Sequence, residues 1–275
     1  MPEKKMPAVM RHEMILKKLE VRGFATTLDL AQWLSVSDMT VRRDLDHLAE
    51  RGLLARTHGG AVALSGKGGQ VVDLIEPKVS EREMRAREAK AAIARRALEM
   101  IEPDQTIALD IGTTTLALAE LVRDSRISLF TSSLKIASLL AESRPQVYVP
   151  AGKINGSEPS VVGPQAVDFF RGYYFDIAFI GASGLTVEGL FDYSLDDAEV
   201  KRACVERSRT TVALLDSSKF NRLSVAKICP LPSLDVVITD AQMPAALQDA
   251  LIVAGVRIEI AAPQSQTPEG TDHDL

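Results

Sequence analysis

The sequence predicts an α/β protein built in two parts: a small winged helix-turn-helix head at residues 1–64 and a larger, mostly parallel αβα body at residues 81–262. Three observations carry this prediction. The first 66 residues hold short helical stretches separated by a tight turn and followed by a glycine-centred hairpin pattern. From residue 106 onward, β-branched runs alternate with helical stretches, as in βαβ units. The charge is also divided. Residues 1–66 carry ten Lys and Arg against eight Asp and Glu, while the remaining 209 carry 22 against 29, so the net −5 hides a basic head on an acidic body.

Composition excludes several classes. A hydrophobic share of 46% and a charged share of 25% are those of a folded globular chain long enough to bury a core without disulfides. The longest uncharged run is the 11 residues from Ile177 to Val187, too short for a membrane span. The charged start MPEKKMPAVMRHE lacks the apolar centre of a secretory signal. Cys204 and Cys229 are the only cysteines and have no histidine near them, so no disulfide framework or metal site is expected, and a reducing cytoplasm suits the chain. An aromatic share of 5% argues against a stacking platform for single-stranded nucleic acid.

In the head, Met14, Ile15 and Leu19 recur at helical spacing until Gly23. Thr26 or Thr27 can cap a second helix, LDLAQWL, with Leu28, Ala31 and Leu34 as its buried face; Trp33 reads as core or a partly covered surface ring. Ser37 then caps a third helix, DMTVRRDLDHLAER, whose stripe is Val41, Leu45 and Leu48, with Thr40, Arg42, Arg43 and His47 off it; Gly52 ends it. A helix that opens with Ser37, Thr40, Arg42 and Arg43 after a tight turn suits a DNA major groove, and the wing that follows places Arg56 and His58 near the phosphate backbone. Two adjacent arginines alone would also suit a solvated helix face.

Residues 65–80, SGKGGQVVDLIEPKVS, read as a linker, and 263–275 as a flexible tail. Residues 81–100 have helical composition, with Ala89, Ile93, Ala97 and Met100 on one side. Strands follow at TIALD, ISLFT, QVYVP, DIAFIG, TTVALLD, DVVITD and VRIEI, with helices near 114–123, 133–142, 164–171, 196–207 and 244–253. Ligands of such sheets bind at the carboxyl ends of the strands. Those ends carry Asp110-Ile-Gly112-Thr113-Thr114, Thr131-Ser132-Ser133, Pro150-Ala-Gly152-Lys153, Gly181-Ala-Ser-Gly184 and Asp216-Ser-Ser-Lys219. Glycine lets a backbone approach a ligand, and hydroxyls with helix-start amides hold an anion. Small residues at βα turns also serve turn geometry alone. Lys201 and Arg202 share a helix with Glu199 at a spacing that surface charge clusters also show.

The stretch Ser37–Leu45, with Arg11, Ile15 and Leu19 before it and Gly52, Arg56 and His58-Gly-Gly-Ala61 after it, resembles the DeoR-type bacterial transcriptional regulators. The body resembles the sensor domain of the same family at Asp110-Ile-Gly-Thr-Thr, Val162-Gly-Pro, Asp176–Gly181, Ala198-Glu-Val-Lys201-Arg, Asp216-Ser-Ser-Lys219-Phe and Ile238-Thr-Asp240. The resemblance implies a fold like ribose-5-phosphate isomerase, a double-stranded DNA operator as partner and a phosphorylated sugar or polyol as effector; a homo-oligomer is expected because one small winged helix buries only about 600–1,000 Å² on DNA. It implies an effector pocket from Asp110, Gly112, Thr113, Thr114, Thr131 and Ser132, with Lys219 and Lys201 as further contacts; Gly152 joins them from its strand-end loop. No cofactor and no metal are expected. The competing expectation is a sugar-phosphate isomerase or deaminase with an accessory head. Aldose–ketose isomerisation needs a carboxylate base, and the Gly181-Ala-Ser-Gly loop supplies none; the Asp residues at 192, 196 and 197 are adequately explained by a helix start.

Overall fold

A computed structural model describes residues 7–22, 24–51, 53–57, 60–63, 71–72, 79–84, 86–156 and 158–261. Gly23, Gly52, His58, Gly59, most of the 65–80 linker and the 263–275 tail lie outside the described residues.

In the head, α1 (Ala8–Arg22), α2 (Thr27–Leu34) and α3 (Asp38–Glu50) close over Ile15, Leu19, Leu30, Leu34, Val41, Leu45 and Leu48. The buried face of α2 is Leu30, Ala31 and Leu34; Leu28, expected inside, is exposed. The caps are the hydroxyls that the sequence offers. Thr26 accepts from the Asp29 amide at 2.9 Å, and Ser37 accepts from the Thr40 amide at 3.3 Å. Between α2 and α3, Ser35 turns the chain with a φ of 51°. The wing is the antiparallel pair β2 (Leu54–Thr57) and β3 (Gly60–Ala63), and an unforeseen strand, β1 (Phe24–Thr26), joins β3 on its other side. Three residues are too few to show a period. The Arg11 guanidinium locks α1 to α3 through two bonds to Asp44, at 2.7 and 2.9 Å. Burial pushes the Asp44 carboxyl up, but Arg11 and His12 outweigh it and hold the group below its ordinary range.

Between head and body lie β4 (Val71–Val72) and α4 (Val79–Met84). The expected single helix over 81–100 is broken. Ala86 takes the left-handed conformation, φ 55°, and α5 (Arg87–Leu98) starts afresh after it. A left-handed residue ends any right-handed helix, so α4 is free to take its own direction.

The body alternates as expected: β5 (Thr106–Leu109), α6 (Thr113–Leu121), β6 (Ser128–Phe130), α7 (Leu134–Leu140) and β7 (Gln146–Tyr148). Then come β8 (Lys153–Asn155), β9 (Ser160–Val162), α8 (Pro164–Arg171), β10 (Phe175–Gly181), β11 (Gly184–Thr186), β12 (Gly189–Asp192) and α9 (Leu195–Glu206). The chain continues through β13 (Ser208–Leu214), β14 (Arg222–Leu223), β15 (Ala226–Cys229), β16 (Val236–Thr239), α10 (Ala245–Val253) and β17 (Arg257–Ile260).

Seven strands form one sheet in the order β17-β16-β13-β10-β5-β6-β7, and every pairing in it is parallel. Successive residues of β10 point to opposite faces. Ile177 and Phe179 enter the layer under α5, α6 and α7, while Ala178 and Ile180 enter the layer with α8, α9 and α10. A strand buried on both faces reads as a continuous apolar run, which DIAFIG is. From β5 the chain builds outward to β7, then returns to β10 and builds the other way. The order therefore reverses between β5 and β10, where open α/β sheets form their crevice. The antiparallel sheet β11-β12-β15, the β8–β9 hairpin and the parallel pair β14–β4 stand outside this sheet.

Candidate functional site

The head presents the outer side of α3. Arg42 and Arg43 are exposed there, with Met39 beside them, while Val41, Leu45 and Leu48 are held inside. Ser37 and Thr40 share a hydroxyl contact at 2.9 Å in the capping turn, so their side chains shape the start of α3. Arg56 lies on β2, and His58 is outside the described residues. Trp33 is 44% exposed under the Lys18 ammonium, a partly covered ring as expected.

The body holds its cavity at the switch point. Asp110 follows β5 and Gly181 ends β10; the Gly181 amide donates to Asp110 Oδ2 at 3.0 Å and ties the two strand ends together. Gly112 then opens α6 with a φ of 148°, a conformation that only glycine adopts comfortably, and no side chain caps the helix start. Gly112, Thr113 and Thr114 line the cavity, and so do Lys219 and Lys201.

Asp110, Thr131, Ser132 and Gly152 are not among its lining residues. Thr131 and Ser132 are buried: Thr131 Oγ1 accepts from the Ser133 amide, and the Ser132 carbonyl accepts from Val161. The second strand-end loop thus seats β9. Gly152 serves close approach, because a Cβ there would lie 2.5 Å from the Val162 carbonyl oxygen.

Lys201 is no surface residue. It is 3% exposed on α9, and its ammonium lies 2.7 Å from Asp110 Oδ2, 2.6 Å from Asp192 Oδ2 and 2.9 Å from the Gly181 carbonyl. Three acceptors use all three of its donors. Burial alone would lower its pKa, but the two carboxylates outweigh burial and raise it. Burial pushes the Asp110 carboxyl up to about 7, with the Lys201 ammonium opposing and the Asp192 charge adding to the push.

Sequence reasoning missed much of the wall. Asp192 looked like part of an acidic helix start, yet it ends β12 and faces Lys201. Asp197, caged by Ser160 Oγ at 2.6 Å and Asn155 Nδ2 at 3.2 Å, also lines the cavity. So do Arg82, Lys90, Glu158 and Arg222. Lys90 was findable: it lies three residues before Ile93 on the buried side of α5. Arg82 and Glu158 carry no local signal, since their meeting depends on a helix and a loop 76 positions apart. Cations and carboxylates share the wall, which suits a ligand with both an anionic group and hydroxyls.

Among the described residues, no helix is long and apolar enough to cross a membrane, and no group of three or more His, Cys, Asp or Glu is placed to hold a metal ion. Cys204 and Cys229 are free and buried.

A family model described as the DeoR C terminal sensor domain matches residues 85–241, and one described as a DeoR-like helix-turn-helix domain matches residues 11–67. The chain is 30% identical over 258 residues to the glycerol-3-phosphate regulon repressor of Escherichia coli strain K12, covering 93% of this chain and 100% of that one. It is 35% identical over 231 residues to the HTH-type transcriptional regulator GlpR of Haloferax volcanii, covering 83% and 88%. Among solved structures, ribose 5-phosphate isomerase A of Methanocaldococcus jannaschii is 17% identical, with a TM-score of 0.37 over 49% of this chain and 55% of that one.

Proposed function

The chain belongs to the DeoR family, and from that premise we propose that it is a transcriptional repressor whose body senses a phosphorylated sugar or polyol. One observation carries the effector class: an uncapped helix start, Gly112-Thr113-Thr114, opens into the same cavity as Lys219. Free amides, the positive end of the α6 dipole and two hydroxyls favour a phosphate group there. The polyol part then extends toward Lys219. The relative matched over its whole length is named for a glycerol-3-phosphate regulon, which supports a small phosphate ester.

Within this reading, Gly112, Thr113, Thr114 and Lys219 touch the effector. Asp110 and Lys201 position the wall, since the Lys201 donors are all engaged. The body binds rather than turns over its ligand. Its carboxylates at Asp192 and Asp197 are each held by a cation or by hydrogen bonds, which opposes a role as free base. In the head, residues 1–64, Arg42 and Arg43 read the operator in the cytoplasm, with Ser37, Thr40, Arg56 and His58 beside them. One winged helix covers roughly 600–1,000 Å² of DNA, so paired heads in a homo-oligomer supply the missing affinity.

Calorimetry tests the effector class. Glycerol 3-phosphate and a panel of sugar phosphates are compared with the unphosphorylated compounds, on wild type and Thr113→Val. The phosphate ester should bind at least tenfold more tightly than its parent, and Thr113→Val should weaken it about tenfold without weakening operator binding. Equal affinity for ester and parent would sink the assignment.

A further inference from the structure

The segment between the two domains reaches into the cavity. Arg82 stands on α4, between the stretches 11–67 and 85–241 that the two family models match, yet it lines the same cavity as Gly112 and Lys219. Its Nη2 donates to Glu158 Oε2 at 2.8 Å, and the two side chains are 15% and 5% exposed. Lys90 on α5 donates to the Arg82 carbonyl and so fixes the backbone of α4 to the body. Arg222, another wall residue, lies on β14, whose parallel partner is Val71 on β4. The inter-domain segment therefore meets the cavity wall twice.

We propose that Arg82 is an effector-binding residue supplied by the inter-domain segment, and that Glu158 holds its guanidinium until an anionic group of the effector displaces the carboxylate. Two considerations carry this, and both rest on reading the cavity as a phosphate-ester site. The first is chemistry. A guanidinium matches phosphate with two parallel N–H bonds, so the group that Glu158 holds through Arg82 Nη2 is one a phosphate can take over. Phosphate also carries more charge than a carboxylate at neutral pH, so it competes well for the same fork.

The second is space. With Arg82 and Glu158 in contact, the open interior is about 60 Å³, room for a few waters, while small-molecule sites are roughly 300–1,000 Å³. Parting this pair is the direct way to admit a phosphate ester. The exchange moves an attachment of α4 from the β8–β9 connection to the ligand. Occupancy is thereby written into the segment that carries the head, which gives the two states the differential contact that a ligand-driven switch requires.

The test uses the full chain as wild type, Glu158→Gln, Arg82→Met and Arg82→Lys, with inorganic phosphate and glycerol 3-phosphate as probes. Calorimetry should show about tenfold tighter binding in Glu158→Gln, about tenfold weaker binding in Arg82→Met, and partial recovery in Arg82→Lys. Amide exchange across residues 79–84 should change when the wild type is saturated but not in Arg82→Met. Without any probe, Glu158→Gln should already exchange faster there. Wild-type affinity in all three variants, while Thr113→Val binds weakly, overturns the role of Arg82 and leaves the cavity assignment standing. Unchanged exchange over 79–84 in probe-free Glu158→Gln overturns the clamp irrespective of ligand. If no phosphate compound binds the wild type, the cavity assignment fails and this proposal falls with it.

Discussion

Replacing Lys201 with Met removes the ammonium that Asp110 and Asp192 share at 2.7 and 2.6 Å. Methionine keeps the length of the side chain, so the change is electrostatic rather than a cavity. Removing one partner from a buried ion pair costs about 3–5 kcal/mol, because the remaining charge stays out of water. Here the loss depends on pH. Asp110 already titrates at about 7 with the ammonium beside it, so without that ammonium its pKa rises further. The folded variant then holds a proton that the unfolded chain, with a carboxyl near 3.8, has released. Stability therefore falls as pH rises. Wild type and variant share this fall up to about pH 7; above it the wild-type carboxyl is already ionised and only the variant keeps losing stability, by up to about 1.4 kcal/mol per unit. We expect a loss of about 4 kcal/mol at pH 8 and a clearly smaller one at pH 5.5. For a body of this size the pH 8 figure corresponds to a melting temperature about 10 °C lower. The chain's single tryptophan, Trp33, lies in the head. Circular dichroism therefore follows mainly the body while fluorescence follows the head, which matters because two domains need not unfold together. A body transition within 2 °C of wild type at pH 8 would refute the buried-triad argument.

Three further outcomes are expected. Arg43→Ala should lower operator affinity by about 1–3 kcal/mol per lost base contact and flatten its salt dependence, with both melts unchanged; unaltered affinity in a gel-shift titration would remove Arg43 from the interface. Arg11→Met should destabilise the head by about 2 kcal/mol in a urea titration read at Trp33, a value between exposed and buried pairs. Because Asp44 lies below its ordinary range, the wild-type head keeps that contribution above about pH 4 and loses it as pH falls through the depressed value, so the two proteins should converge in acid. Gly152→Ala forces a Cβ against the Val162 carbonyl at a φ of 157°, and should lower the body's melting temperature while leaving phosphate affinity as it was.

What could be read from the sequence follows from how local each signal is. The stripes Ile15–Leu19 and Val41–Leu45–Leu48, the caps Thr26 and Ser37, and the doubly buried run of β10 are statements about neighbours within one or two turns. The structure places each where that periodicity puts it. The antiparallel pieces β8, β9, β11 and β12 were not legible, because three or four residues around glycine show no period. The break at Ala86 was invisible for the opposite reason: alanine is the best helix former, and its left-handed state is imposed by where α4 and α5 must go.

The candidate site divides along the same line, and the two strand-end loops show why. Asp110-Ile-Gly-Thr-Thr and Thr131-Ser-Ser have the same chemistry, small polar residues after a strand and before a helix. Their fates differ with their neighbours. β5 adjoins β10 at the reversal of strand order, and its loop opens into the cavity. β6 lies one strand further out, and β9 covers its loop: Val161 donates to the Ser132 carbonyl, and Ser133 bridges Ser160. Hydroxyls that could have met a ligand instead satisfy buried backbone, as any polar group removed from water must be satisfied. Lys201 illustrates the converse. Its charged neighbours Glu199 and Arg202 suggested a surface cluster, but a lysine on the buried side of α9 is tolerable only because Asp110 and Asp192 arrive from the ends of two strands. Turn chemistry alone therefore cannot separate a ligand loop from a structural one; the position of its strand relative to the reversal point decides.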